Sequence, residues 1–197
     1  MKQLSATQII VGPVRLSYLH VFKPRLNNMK TPPEMQFSAT ILIPKEPNEF
    51  NSNPKGELKG IADTIKTVRE EKFAKVPNGF KNPLKDGDTE LNNDGEPKYP
   101  GYYYLTCTAK EEYAPKLVDT ALKDVTGGWN SGDWGYVKMN FFAFDQPASK
   151  GVSCGLKAIQ FCAKDESLGG GESTADGFDA IAPASGSATD EFDPFAE

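Results

Sequence analysis

Residues 35–43 read Met35-Gln36-Phe37-Ser38-Ala39-Thr40-Ile41-Leu42-Ile43, with Phe37, Ala39, Ile41 and Ile43 on one parity and Gln36, Ser38, Thr40 and Leu42 on the other. Period-two alternation with β-branched enrichment is the pattern of a strand that buries one face. Outward from this segment the pattern recurs in Val14 to Val21, Tyr102 to Ala109, Trp134 to Phe144 and Val152 to Phe161, and clusters of Gly, Pro, Asn and Asp separate the runs. One stretch has a different period. Between Lys55 and Val76, Leu58, Ile61, Ala62, Ile65, Val68 and Phe73 recur at three- and four-residue steps with Lys, Arg and Glu opposite, which predicts an amphipathic helix. Asn53 followed by Pro54 supplies its N-cap and first-turn proline.

Five strands with one helix inserted after an early strand predict a mostly β, α+β fold: a five-stranded OB-fold-like barrel, in which closure removes the exposed edges. An immunoglobulin-like sandwich would need about seven strands and no long helix. Residues 77–100, rich in Pro, Gly, Asn and Asp, form a long loop, a length that marks function or mobility rather than core.

The 197-residue chain carries 22 Lys and Arg, 27 Asp and Glu, one His and three Cys. Its charge is divided unevenly. Nine of the acids and none of the bases lie between Asp165 and Glu197, so this end is −9 and the body before it +4. The same end holds Gly169-Gly170-Gly171 and the run Ala182-Pro183-Ala184-Ser185-Gly186-Ser187-Ala188, a composition that buries too little apolar area to offset ordering entropy. The expected organisation is a binding domain over residues 1–165 and a disordered acidic tail over 166–197. Asp190, Glu191, Phe192, Asp193 and Phe195 place two aromatic rings among acids, the composition of a docking peptide. No apolar run approaches the roughly 20 residues of a membrane-spanning helix. Neither a leader-like apolar segment at Met1 nor a CxxC pair is present, and Cys107, Cys154 and Cys162 read as free, mostly buried thiols in a reducing cytoplasm.

Function resides in the strand faces that point away from the core. In Trp134 to Phe144 the apolar set Val137, Met139, Phe141 and Ala143 belongs inside, which leaves Trp134, Tyr136, Lys138, Asn140 and Phe142 outside. In Tyr102 to Ala109, Tyr103, Leu105 and Cys107 are expected inside, with Tyr102, Tyr104, Thr106 and Thr108 outside. Aromatic rings interleaved with Lys on an open sheet suit single-stranded nucleic acid, because each base offers a π-face and each phosphate a charge. Arg15, Lys23, Arg25 and Lys30 near Phe22, Lys81 and Lys85 near Phe80, and Trp129 extend this basic-aromatic set. The bland alternative is a second small core beneath the long loop.

Enzymatic chemistry finds little support. His20 is the only imidazole and has no Cys or acid at ligand spacing, so no metal site is readable. Neither a phosphate-binding GxxxxGK[ST] loop nor a GxGxxG turn is present. Asp86 and Asp88 could be imagined as a nuclease cation site, although Asp-Gly-Asp is first of all a turn sequence. No cofactor is expected.

The strings VRLSYLHVFKP (14–24), FKNPLKDGDTE (80–90), YPGYYYLTCTAK (99–110), VKMNFFAFD (137–145), KGVSCGLKAIQ (150–160) and LGGG (168–171) resemble the phage single-stranded DNA-binding protein family, in one order along nearly the whole chain. The resemblance implies an OB-fold body without catalytic activity that coats single-stranded DNA during replication and recombination in the host-cell cytoplasm, as a monomer or weak dimer. It also implies an acidic, aromatic-containing tail that recruits a polymerase or helicase and competes with DNA. This chain differs from the family in placing Ala196 and Glu197 after the last Phe. A second class of function, a protein-interaction adaptor built from the barrel and the Phe-acidic tail, is separated from the first by whether the protein binds an oligonucleotide at all.

Overall fold

The computed structural model describes residues 1–28 and 32–168. Its elements in chain order are β1 (Lys2–Gln3), β2 (Gln8–Asn27), β3 (Glu34–Pro44), α1 (Pro54–Lys72), β4 (Lys85–Asp86), β5 (Tyr102–Lys110), β6 (Lys116–Val118), β7 (Trp134–Gln146) and β8 (Ser149–Ala163). The five long strands are the five expected from alternation. They close into a barrel in the order β2–β3–β5–β8–β7 and back to β2. All its pairings are antiparallel except β5–β8, which is parallel at Thr108 and Gly155 and forms the closing seam. At 20 residues β2 serves both neighbours: Gln8 to Arg15 pair with β7, and Arg15 to Asn27 pair with β3. Among the described residues, no helix is long and apolar enough to cross a membrane.

The barrel interior holds the residues that alternation assigned to it. Ile41, Ile43, Leu105, Cys107, Val137, Met139 and Phe141 are buried, joined by Ile9, Leu16, Leu156, Ile159 and Phe161. Helix α1 lays Ile61, Ile65 and Val68 against this core, each apolar side chain contributing about 1.5–3 kcal/mol. Asn53 caps it by accepting the Gly56 amide N–H at 3.1 Å. The helix ends at Lys72 rather than Val76, because Phe73 turns extended and packs edge-on to Phe80, 6.3 Å between centroids. Buried Glu57 in the first turn accepts the Gly12 amide N–H and pairs with the Met1 ammonium, tying the start of the chain to the helix.

Two expected orientations need correction. Trp134 belongs to the outward parity of β7, yet it is only 1% exposed. Its ring stacks on Phe50, 4.7 Å between centroids, and its indole N–H donates to Asp165 at 2.7 Å, so segments before α1 and after β8 cover it. Trp134→Ala should therefore cost about 3–5 kcal/mol of stability, seen as a large drop in melting temperature, whereas an exposed stacking residue would leave the melt unchanged. Tyr103 shares the parity of Leu105 but lies at the strand's start beyond the core, with the Lys45 ammonium 4.6 Å from its ring centre. Cys107 and Cys154 are buried free thiols, 2.7 Å between sulfurs, and Cys162 is half-buried. Burial raises the pKa of Cys154 and of Cys162.

The last described residues stay in contact with the barrel. The Glu166 carbonyl accepts from Arg15 at 2.9 Å, and the Leu168 N–H donates to Ser131 O. Asp190, Glu191, Phe192, Asp193 and Phe195, expected to form a docking peptide, and Lys30 in the β2–β3 connection lie outside the described residues.

Candidate nucleic-acid interface

A groove runs across the outer face of β2, β3 and β5. It comprises three adjoining hollows of about 350, 460 and 480 Å³. Lys98, Tyr104 and Thr106 are common to the first and second, and Tyr18, Lys98 and Tyr99 to the second and third. Arg15, Arg25, Lys81, Lys85 and Lys98 supply five cations, and Tyr18, Tyr99, Tyr102, Tyr104 and Phe144 supply rings. No Asp or Glu is among the described residues that line it. An acid-free concave surface focuses positive potential where a polyanion would lie.

The long loop makes the groove deep. Rather than standing free, residues 77–101 fold back along the barrel: Lys85 and Asp86 pair with Tyr104 and Tyr103, and the Lys81 backbone bridges to Gly151. The Lys45 ammonium donates to Asp86 at 2.5 Å and Asp88 at 2.6 Å, and Asp88 accepts the Gly101 amide N–H at 2.7 Å. Lys45 holds both carboxyls below the usual range, chiefly by these hydrogen bonds. An ammonium thus sits between the two carboxylates that a nuclease cation would need, and the pair acts as the loop's clamp. Among the described residues, no group of three or more His, Cys, Asp or Glu is placed to hold a metal.

Folding back delivers Lys98 and Tyr99 to the groove. Tyr99 meets Tyr104 edge-on, 4.9 Å between centroids, and its hydroxyl lies 3.4 Å from Ser17 Oγ. Burial raises the pKa of both phenols. The Lys98 ammonium stands 5.5 Å from the Tyr104 ring centre and 6.0 Å from that of Tyr99, so cation and π-faces are presented together. Arg25 donates to His20 Nε2 at 3.3 Å. Burial, and then the Arg25 charge, hold His20 below the ordinary imidazole value, which keeps it neutral as an acceptor. Two of the cations are partly neutralised: Lys85 by Glu90 at 3.3 Å and Arg15 by Asp165 at 3.5 Å.

Of the residues expected at the interface, Arg15, Lys81, Lys85, Tyr102 and Tyr104 line the groove. Tyr104 is only 4% exposed, its ring lying beneath Lys98 and Tyr99. The others lie elsewhere. Phe22 and Trp129 stack on core Phe161, Trp129 at 4.7 Å with the Lys164 ammonium over its outer face. Phe80 packs on the core beside Phe73, and Trp134 is buried. Lys23 is exposed on β2 but is not a lining residue. Tyr136 and Lys138 face outward on β7, which one strand separates from β3 and β5 in either direction around the barrel. Sequence reasoning missed Tyr18, His20, Lys98, Tyr99 and Phe144. For Lys98-Tyr99 a signal existed, a basic-aromatic pair inside the long loop.

A closed five-stranded barrel with one parallel seam and one helix between its second and third strands defines an OB-fold-like protein. The model of the Enterobacter phage Enc34 ssDNA-binding protein family matches residues 7–192, and the chain belongs to that family. Among solved structures it is similar to the single-stranded DNA-binding protein from bacteriophage Enc34 in complex with ssDNA, at 19% identity and TM-score 0.67, covering 84% of this chain and 91% of that one. It is also similar to gp2.5, a single-stranded DNA-binding protein encoded by bacteriophage T7, at 15% identity and TM-score 0.57, covering 88% and 98%. A search of curated protein sequences finds no match.

Proposed function

We propose that this protein binds single-stranded DNA with little base preference, coating and protecting it during phage replication and recombination in the host cytoplasm. The observation that carries this reading is the continuous acid-free groove with five cations and four tyrosine rings among its lining residues. Rings that accept any base give affinity without a code, and each ring-base contact contributes roughly 1–3 kcal/mol. No catalysis and no cofactor enter this role. Residues 169–197 recruit a polymerase or helicase and compete with DNA for the groove. Membership of a family whose named member is a single-stranded DNA-binding protein supports the reading.

A labelled oligo(dT) titrated at several salt concentrations tests it. With five groove cations, two of them already paired, three to five phosphates are neutralised. The slope of log K against log salt should be about −2 to −3.5. A duplex of equal length should bind much more weakly, because its stacked bases hide their faces. Equal affinity for both would remove the stacking groove, and no binding to either would favour the protein-interaction adaptor. Light-scattering mass at micromolar concentration should report a monomer or weak dimer. Tryptophan quenching is a poor readout here, since neither Trp lines the groove.

A further inference from the structure

Tyr18 occupies an unusual place in β2. The inward positions run Val14 and Leu16, then Leu19 and Val21, so the two-residue period slips by one between Leu16 and Leu19. The β2–β3 register shifts at the same point, between Ser17 and His20. A bulge of this kind re-aims a side chain and is common beside functional sites. At its apex Tyr18 has φ +45°, in the left-handed region where Cβ crowds the backbone and which glycine or asparagine enters more easily. The ring gains little from the fold in return: it is 59% exposed and stands outside the core. Its neighbours fix the conformation instead. The Ser131 hydroxyl accepts the Leu19 amide N–H at 3.1 Å, and buried Ser17 meets the Tyr99 hydroxyl.

The strained position is also a particular point of the groove. Tyr18, with Lys98 and Tyr99, is shared by the two hollows of about 460 and 480 Å³. A strand lying along both must pass this ring. We propose that Tyr18 is a base-stacking residue presented by a strained bulge, so that at this one position fold stability and single-strand affinity oppose each other. The inference rests on the groove's being the single-stranded DNA site.

Tyr18→Asn and Tyr18→Phe in the full chain test it, each read by thermal melting and by labelled oligo(dT) across a salt series. Asparagine fits the left-handed backbone and removes the ring. Tyr18→Asn should raise the melting temperature, weaken oligo(dT) binding about 5- to 150-fold, and leave the salt slope unchanged because no charge is lost. Phenylalanine keeps a π-face and should bind within about threefold of the parent. A Tyr18→Asn protein that binds like the parent, or that melts lower, overturns the proposal. If it binds like the parent while Lys98→Glu binds weakly, the groove remains the site and only the stacking role fails. A parent protein that ignores oligo(dT) defeats the underlying functional reading instead.

Discussion

Replacing Lys98 and Tyr99 together with alanine should weaken oligo(dT) binding by about 30- to 1,000-fold and leave a cooperatively folded barrel. Loss of one stacking ring accounts for roughly 1–3 kcal/mol. Loss of one phosphate contact removes about 0.7 of a released counterion, which near 0.1 M salt is about 1 kcal/mol. The two changes interact, because the Lys98 ammonium stands over both Tyr99 and Tyr104, and groups that share a partner do not contribute independently. The single variants separate the terms: Lys98→Ala lowers the salt slope by about 0.7, whereas Tyr99→Ala keeps the slope and shifts the line. Folding should survive because neither residue belongs to the barrel core. A double variant that binds like the parent would show that the folded-back loop does not contact DNA.

Deleting residues 169–197 should tighten binding by about 10- to 100-fold at low salt. The segment carries seven of the 27 acids and no base, so its removal changes the net charge from −5 to +2. A tether of about 30 residues holds such a competitor at an effective concentration approaching millimolar. Leu168, which precedes the segment in sequence, lines the groove with Arg15. Because attraction between exposed charges is screened within about a Debye length, the gain should fall below about threefold at 0.5 M salt. Phe192→Ala with Phe195→Ala retains every acid and should leave DNA affinity nearly unaltered while abolishing capture of a polymerase or helicase. Equal affinities for truncated and full-length protein at low salt would remove the competition, and capture by the double variant would remove the recruitment.

The barrel was legible from sequence because its signal is local. β3 and β7 alternate over seven residues, from Phe37 to Ile43 and from Val137 to Ala143, and α1 carries a helical period with its cap, so these elements and their inward faces follow from residues such as Ile41 and Met139. The groove was only half legible. Tyr102 and Tyr104 were expected there from their outward strand positions, and Arg15 from the basic-aromatic set near Phe22. Lys98 and Tyr99 were missed because their placement depends on Lys45 reaching more than 40 residues along the chain to Asp86 and Asp88. Tyr18 was missed because a bulge breaks the alternation used to assign faces. Trp134 and Phe22 were misplaced because alternation tells which residues leave the barrel interior, but not which of those are covered again, whereas Phe80 and Trp129 lie in connections between strands and carry no alternation. Phe50 and Asp165 cover Trp134, and an outer layer around Phe161 and Phe73 takes up the other three.

Ultraviolet cross-linking of the full-length protein to oligo(dT), with the adducts mapped by peptide mass, distinguishes the β2–β3–β5 groove from every other face of the barrel. Adducts should fall on peptides containing Tyr18 and Tyr99 and should disappear at high salt. Adducts concentrated on Tyr136, which lies exposed on β7, would contradict the assignment and move the DNA to the outer face of β7.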